Sequence, residues 1–185
     1  MLETATHMVE AGEDDFSLRE LARRAGVTSA APYHHFSDKV AVLDHVAIGG
    51  FEQLDAELSR ASQLGAEPVT KLTRMVEAYL RFSAEHAAHY RLMFPPALGS
   101  DDRHAELRSF AEASFGRLVA AVTAVRPKAP PDALFFWAFS VWALCHGFLL
   151  LHRDGLIDDR LPIGSFEVLV PRIAALSAEL VASAR

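Results

Sequence analysis

The stretch SLRELARRAGVTSAAPYHHFSDK, Ser17 to Lys39, carries the pattern on which the reading of the fold turns. Ser17 is a helix-opening hydroxyl residue with Glu20 three positions on, a capping-box arrangement that satisfies main-chain N–H groups at a helix start. Leu18, Leu21, Ala22 and Ala25 follow at helical spacing, and Gly26 stops the helix. Pro32 then stands inside what reads as a second short helix, from Ser29 to about Phe36. With Ser29 as N-cap, the proline falls at the third helical position, where a main-chain N–H has no partner to lose. Two short helices joined by a tight turn let the second project with its N-terminal turn leading, which suits a DNA major groove about 12 Å wide. Thr28, Ser29, Ala30 and Ala31 have little bulk, so the main chain can approach base edges and thymine methyl groups. Tyr33 places a phenol one turn on, within reach of a phosphate. Lys39 adds a cation where the next helix begins, beside N–H groups that already favour an anion.

Four cations in this stretch (Arg19, Arg23, Arg24, Lys39) face two acids (Glu20 and Asp38), whereas the 185-residue chain as a whole has a net charge of -6. A nucleic-acid partner would therefore meet one local face and not the whole surface. One cysteine, Cys145, excludes an intramolecular disulfide and points to a reducing compartment. The opening MLETATHMVEAGEDD has acids where a secretory signal would have bases, so the chain reads as cytoplasmic.

The hydrophobic period is helical nearly throughout, and no run alternates as a strand does. It predicts an all-α chain of about nine helices: a helix-turn-helix head over residues 1–47, then a helical bundle over 48–185. In this count the fourth helix opens at Ser37 and runs to Leu64, with Gly49 and Gly50 as a point of bending. The last spans about Ser165 to Ala184, and Pro171 should kink it or mark its first turn. Leu134 to Leu151 runs 18 residues without a charge, the lower limit for a membrane span. Ser140, His146 and Gly147 interrupt it, and the favoured reading is a central helix packed on its own domain on one side and on a second subunit on the other. A membrane anchor is the more distant reading.

Phe36 reads as an apolar plug of the head, and His35 as a structural residue whose imidazole bonds a neighbouring carbonyl. Aromatic side chains on several later helices, with Cys145 and His146 as scarce polar groups among them, have the composition of an apolar ligand pocket, with Tyr79, Phe82, Trp142 and His146 as its expected lining. His86 and His89 stand three apart, but no third ligand is evident, so no metal site and no cofactor are expected. No serine-histidine-aspartate motif, glycine-rich phosphate loop or paired carboxylates stand out, and the chain is not read as an enzyme.

From Ser17 through the alanine-glycine-valine turn to Tyr33, His35, Phe36 and Lys39, the sequence resembles the DNA-binding signature of the TetR family of bacterial transcriptional regulators. The resemblance implies that Ser17, Thr28, Tyr33 and Lys39 contact phosphates and that the exposed side of Ser29 to His34, with Ala30, reads bases. The family often has arginine where this chain has His34. It also commonly has a basic arm before the first helix, where this chain has Met1 and Glu3. Downstream, WALCHG with Trp142, His146 and Gly147, preceded by HYRLMF at His89 to Phe94, resembles the C-terminal domain of the TetR subgroup named for tryptophan, histidine and glycine. That likeness implies a homodimer paired through the last two long helices, with Leu169, Ile173, Leu176 and Leu180 at the interface. Together these features imply a ligand-responsive regulator that binds a double-stranded DNA operator and is released as a repressor by a small apolar effector. The competing reading is a helical ligand-binding or scaffold protein whose head has lost DNA binding.

Overall fold

The computed structural model describes residues 1–96, 98–157 and 162–183. Among them there are eight α-helices and no strand: α1 (Leu2–Glu10), α2 (Leu18–Arg24), α3 (Lys39–Gln63), α4 (Pro68–Glu85), α5 (Ala87–Met93), α6 (Ala105–Val125), α7 (Pro131–Arg153) and α8 (Phe166–Ser183). Single 3-10 turns stand at Ala31–His34 and Asp102–His104. The chain divides into two compact units, Met1–Gln53 with His86–Glu112 and Leu54–Glu85 with Ala113–Arg185. It thus enters the first unit twice, where the linear reading drew one boundary after residue 47.

The first unit is built on the apolar stripe that the period predicts. Ala5, Met8 and Val9 of α1 pack with Phe16, with Leu18 and Leu21 of α2, and with Phe36, Val42 and Val46. Ser17 caps α2, its Oγ accepting the Glu20 N–H at 3.1 Å. Gly26 takes a positive φ of 68°, a conformation that side chains with a Cβ resist, and the chain reverses there with the Val27 N–H on the Ala22 carbonyl at 3.0 Å.

Two expectations for this region change. The helix expected from Ser29 to Phe36 is one 3-10 turn that starts at Ala31, with Ala30 and not Ser29 as its cap residue and Pro32 in its first turn. The next helix starts at Lys39, not Ser37, because the Asp38 carboxylate accepts the Ala41 N–H at 2.9 Å and so acts as its cap. Helix α3 runs unbroken through Gly49 and Gly50. Gly50 serves close approach: a Cβ there would lie 3.1 Å from Met93 Sδ and 3.3 Å from His89 Cβ on α5.

A buried histidine–carboxylate hydrogen bond in this unit joins α3 to the turn before α6. Asp44 and His104 are 9% and 7% exposed, and His104 Nδ1 lies 2.9 and 2.8 Å from the two Asp44 oxygens.

In the second unit α4, α7 and α8 pack together. Their buried stripes are Leu72, Met75, Val76, Leu80 and Phe82 on α4, Leu134, Ala138, Val141, Cys145, Phe148 and Leu149 on α7, and Phe166, Leu169, Val170, Ala174, Ala178 and Val181 on α8. Pro171 lies inside α8, five residues after its start, with its ring on the exposed side. The predicted end of this helix at Ala184 lies outside the described residues. Ser177 is buried in the stripe and donates its hydroxyl to the Ile173 carbonyl at 2.8 Å, so no hydroxyl is left bare there.

Removing His104 leaves the buried Asp44 carboxylate without the hydrogen bond that satisfies it. His104→Ala should therefore cost about 3 kcal/mol of stability, read as a shift of the urea unfolding midpoint at neutral pH. A variant as stable as the parent would show that the pair does not hold α3 to the turn.

Candidate nucleic-acid interface

The predicted DNA-facing residues all fall in the first unit, on the cap of α2, the turn that follows, the 3-10 turn and the start of α3. The alternation of burial across the 3-10 turn decides which of them face water. Pro32 and Phe36 turn inward, so Thr28, Ser29, Ala30, Tyr33 and His34 are exposed, Tyr33 by 56%. The plug is anchored by an edge-to-face contact of Phe36 with the His45 ring at 5.3 Å. His45 also lies 2.8 Å through Nδ1 from the Ala41 carbonyl. That is the carbonyl bond expected of His35, which is instead exposed.

Arg23, Arg24 and Lys39 of this face are held by carboxylates. Glu20 accepts from Arg23 Nε at 2.8 Å and Nη2 at 2.7 Å, and from Arg24 Nε at 2.8 Å. These bonds hold its carboxyl well below the usual range, at about 2, with Arg23 the larger cause and Arg24 the next. Arg24 also pairs with Glu13. Lys39 is the first residue of α3, with its ammonium 3.0 Å from Asp15 Oδ1 and 5.8 Å from the Phe16 ring centroid. Sequence reasoning missed Asp15, which is 24 residues away along the chain. Its only signal was an acidic loop placed ahead of the capped helix.

The predicted effector-binding residues all fall in the second unit, Tyr79 and Phe82 on α4 and Trp142 and His146 on α7. Phe82 is buried and the other three are half-buried. Trp142 and His146 bring their rings to 5.5 Å, and Trp142 also meets Phe139 at 5.9 Å and Phe115 at 6.3 Å. Burial, and then the charge of Arg153, pushes the His146 imidazole below its ordinary value. A concavity of about 500 Å³ opens at the turn between α6 and α7, lined by Arg126, Lys128 and Trp137 among others and by none of these four.

Of the predicted dimer residues, Leu176 and Leu180 are exposed and Ile173 is half-buried, while Leu169 faces the interior of its own unit. Further exposed apolar side chains on α7 and α8 were not singled out by the sequence reading. Val168 on α8 is 51% exposed, and Phe135, Phe136 and Phe139 on α7 are 55%, 65% and 48% exposed. The charge-free, mostly apolar run of α7 was the signal for the three exposed phenylalanines, but it gave no period by which to separate the two faces.

A capped helix, a tight glycine turn and an exposed helical turn, followed by long apolar helices, define a helix-turn-helix regulator. The family model of bacterial regulatory proteins of the tetR family matches residues 3–46, and that of the tetracyclin repressor-like C-terminal domain matches residues 72–173, more than half of the chain. The chain belongs to the TetR family, whose members are DNA-binding regulators and not enzymes, and are typically dimers. It is 27% identical over 172 residues to an uncharacterized HTH-type transcriptional regulator of Mycobacterium tuberculosis, spanning 92% of this chain and 76% of that protein. A protein of unknown function from Rhodococcus sp. RHA1 has the same fold, with a TM-score of 0.74 and 28% identity over 98% of this chain and 91% of the other. So does the TetR family transcriptional regulator PfmR from Thermus thermophilus, with a TM-score of 0.65 and 18% identity over 98% of this chain and 96% of the other.

Cys145 lies one residue before His146 and is 2% exposed, and burial pushes its thiol up to about 12 against a smaller opposing effect of a hydrogen bond with Ser177. It should not react with a disulfide reagent at mildly alkaline pH in the native protein and should titrate as one thiol after denaturation. Full native reactivity would mean that α7 opens to solvent at this depth.

Proposed function

We propose that this regulator is a homodimeric repressor that binds a double-stranded DNA operator and is released from it by a small apolar effector. Residues 1–47 form its DNA-binding domain and residues 48–185 its effector-binding and dimerisation domain. The observation that carries the DNA assignment is the outward set Thr28, Ser29, Ala30, Tyr33 and His34, exposed because Pro32 and Phe36 anchor the same turn from within. Small side chains from Ser29 onward leave room for base edges, and Ser17, Thr28, Tyr33 and Lys39 serve as phosphate contacts.

Phe135, Phe136 and Phe139 on α7, with Val168, Leu176 and Leu180 on α8, support a dimer through these two helices. In the proposed assembly the exposed face of α7 meets a second copy of the chain and not lipid. This helix is long and apolar enough to cross a membrane, and a third of its most apolar stretch is buried within its own unit. Two joined heads would reach successive major grooves, about 34–36 Å apart if spaced by one turn of DNA. The half-buried aromatics Tyr79 and Trp142, with Phe82 and His146, support an apolar effector whose binding changes that spacing. Trp142, His146 and Gly147 support membership of the tryptophan-histidine-glycine subgroup, and the family assignment supports a cytoplasmic location.

Fluorescence anisotropy against DNA fragments flanking its own gene tests the reading. The chain should bind one fragment tightly with a steep salt dependence, and Lys39→Ala and Tyr33→Ala should each weaken binding by about tenfold. Failure on every fragment by an intact dimer would favour the helical ligand-binding or scaffold reading. In sedimentation, Phe136→Asp should convert a particle of twice the chain mass to one of the chain mass. An unchanged particle would remove the exposed face of α7 from the interface.

A further inference from the structure

Three of the four cations of Ser17–Lys39 come with carboxylates already attached. Among the described residues of Ser17–Lys39, Arg23, Arg24 and Lys39 are each in an ion pair. Arg24 is shared between Glu20 and the loop residue Glu13, while Lys39 has Asp15 as its carboxylate partner. Glu20 sits on the same helix as its arginines, whereas Asp15 reaches Lys39 from the loop between α1 and α2 and is fully exposed. Asp15 is not the one group that places Lys39. Its main chain is set as the first residue of α3 by the Asp38 cap, and its ammonium lies over the buried Phe16 ring at 5.8 Å. A carboxylate that stands in water against an ammonium located by other groups as well occupies the position that a phosphate would take.

We propose that Asp15 competes with DNA for Lys39 and thereby sets the affinity of the head for its operator. The inference rests on the DNA-binding reading given above. Binding at this point is an exchange: the Lys39–Asp15 pair opens, a phosphate oxygen takes the ammonium, and an unpaired carboxylate is left facing the DNA backbone. Both the lost pair and the new repulsion lower affinity. The carboxylate also draws back cations, so the contact releases less than the counterion fraction of about 0.9 that an unopposed lysine would displace.

The wild type, Asp15→Asn, Lys39→Ala and the double variant would be titrated over a range of salt concentrations against a duplex enriched from a random-sequence pool by the wild-type protein. Asp132→Asn, which removes an acid from the first turn of α7, controls for net charge. Asp15→Asn should bind about two- to fivefold more tightly at low salt, the reach of an exposed ion pair. Its salt slope should steepen by up to about 0.9, and both gains should be clearly smaller in the Lys39→Ala background, where only the repulsion of Asp15 by the DNA backbone is left to relieve, with Asp132→Asn unchanged. Weaker binding by Asp15→Asn would make Asp15 a positioning residue for Lys39 and overturn the proposal. Unchanged affinity, or an equal gain without Lys39, would overturn it as well. Failure of the underlying DNA-binding reading has a different signature, in which no duplex is enriched or Lys39→Ala binds as the wild type does, and it removes both.

Discussion

The head depends on the inward burial of Pro32 and Phe36. A single 3-10 turn has too few hydrogen bonds to persist alone, and here one of its first residues is a proline that donates none. Burying a phenylalanine side chain contributes about 1.5–3 kcal/mol, enough to hold such a turn against the fraying expected of it. Phe36 is 7% exposed among Met8, Leu18, Leu21 and Val42, with the His45 ring set edge-on against it. Once this side of the turn is buried, the opposite side must face water. The polar and small residues from Thr28 to His34 owe their presentation to a side chain that has no contact with DNA in the proposed complex.

Polar chemistry in the chain follows a division of labour. Within the first unit the buried pair of Asp44 and His104 ties helices together, and at the surface carboxylates hold nearly every cation of the head. A net charge of -6 and a local face rich in arginine and lysine are thus compatible. The acids are distributed as partners of the bases, and the field that DNA would meet is set by how readily those pairs open. In the second unit the helices are joined by apolar stripes, with Ser83 and Ser177 turned back onto carbonyls of their own helices and an exposed Arg81–Glu167 pair tying α4 to α8 at the surface.

What could be read from the sequence was whatever is encoded over short distances. The Ser17 cap, the Gly26 stop, the Phe36 plug and the apolar periods of α1, α4 and α8 lie within a turn or two of their consequences. The 3-10 turn was misread as a longer helix because Ser29 is a good cap by composition, while the burial of Pro32 that decides the matter depends on the packing of the whole head. Partners separated along the chain left no local trace. Asp15 with Lys39, and Asp44 with His104, are 24 and 60 residues apart. His45 took the role given to His35 because only the folded head shows which ring lies against α3. Helix α7 was legible as apolar and illegible as two-faced, since Leu134, Ala138 and Val141 on the buried side differ little in hydropathy from Phe135, Phe136 and Phe139 on the other.

The double passage of the chain through the first unit bears on how the protein is made. Its N-terminal 53 residues emerge from the ribosome well before His86–Glu112, yet Asp44 has no His104 to meet, and Gly50 no Met93 to approach, until that later segment has been synthesised. At a synthesis rate of about 5–20 residues per second, the nascent head waits several seconds with a carboxylate and part of an apolar surface uncovered. The local contacts around Phe36 are available from the start. The exposed turn thus draws on contacts within the first 53 residues, while the full set of contacts of this unit is complete only after the chain has left it and returned.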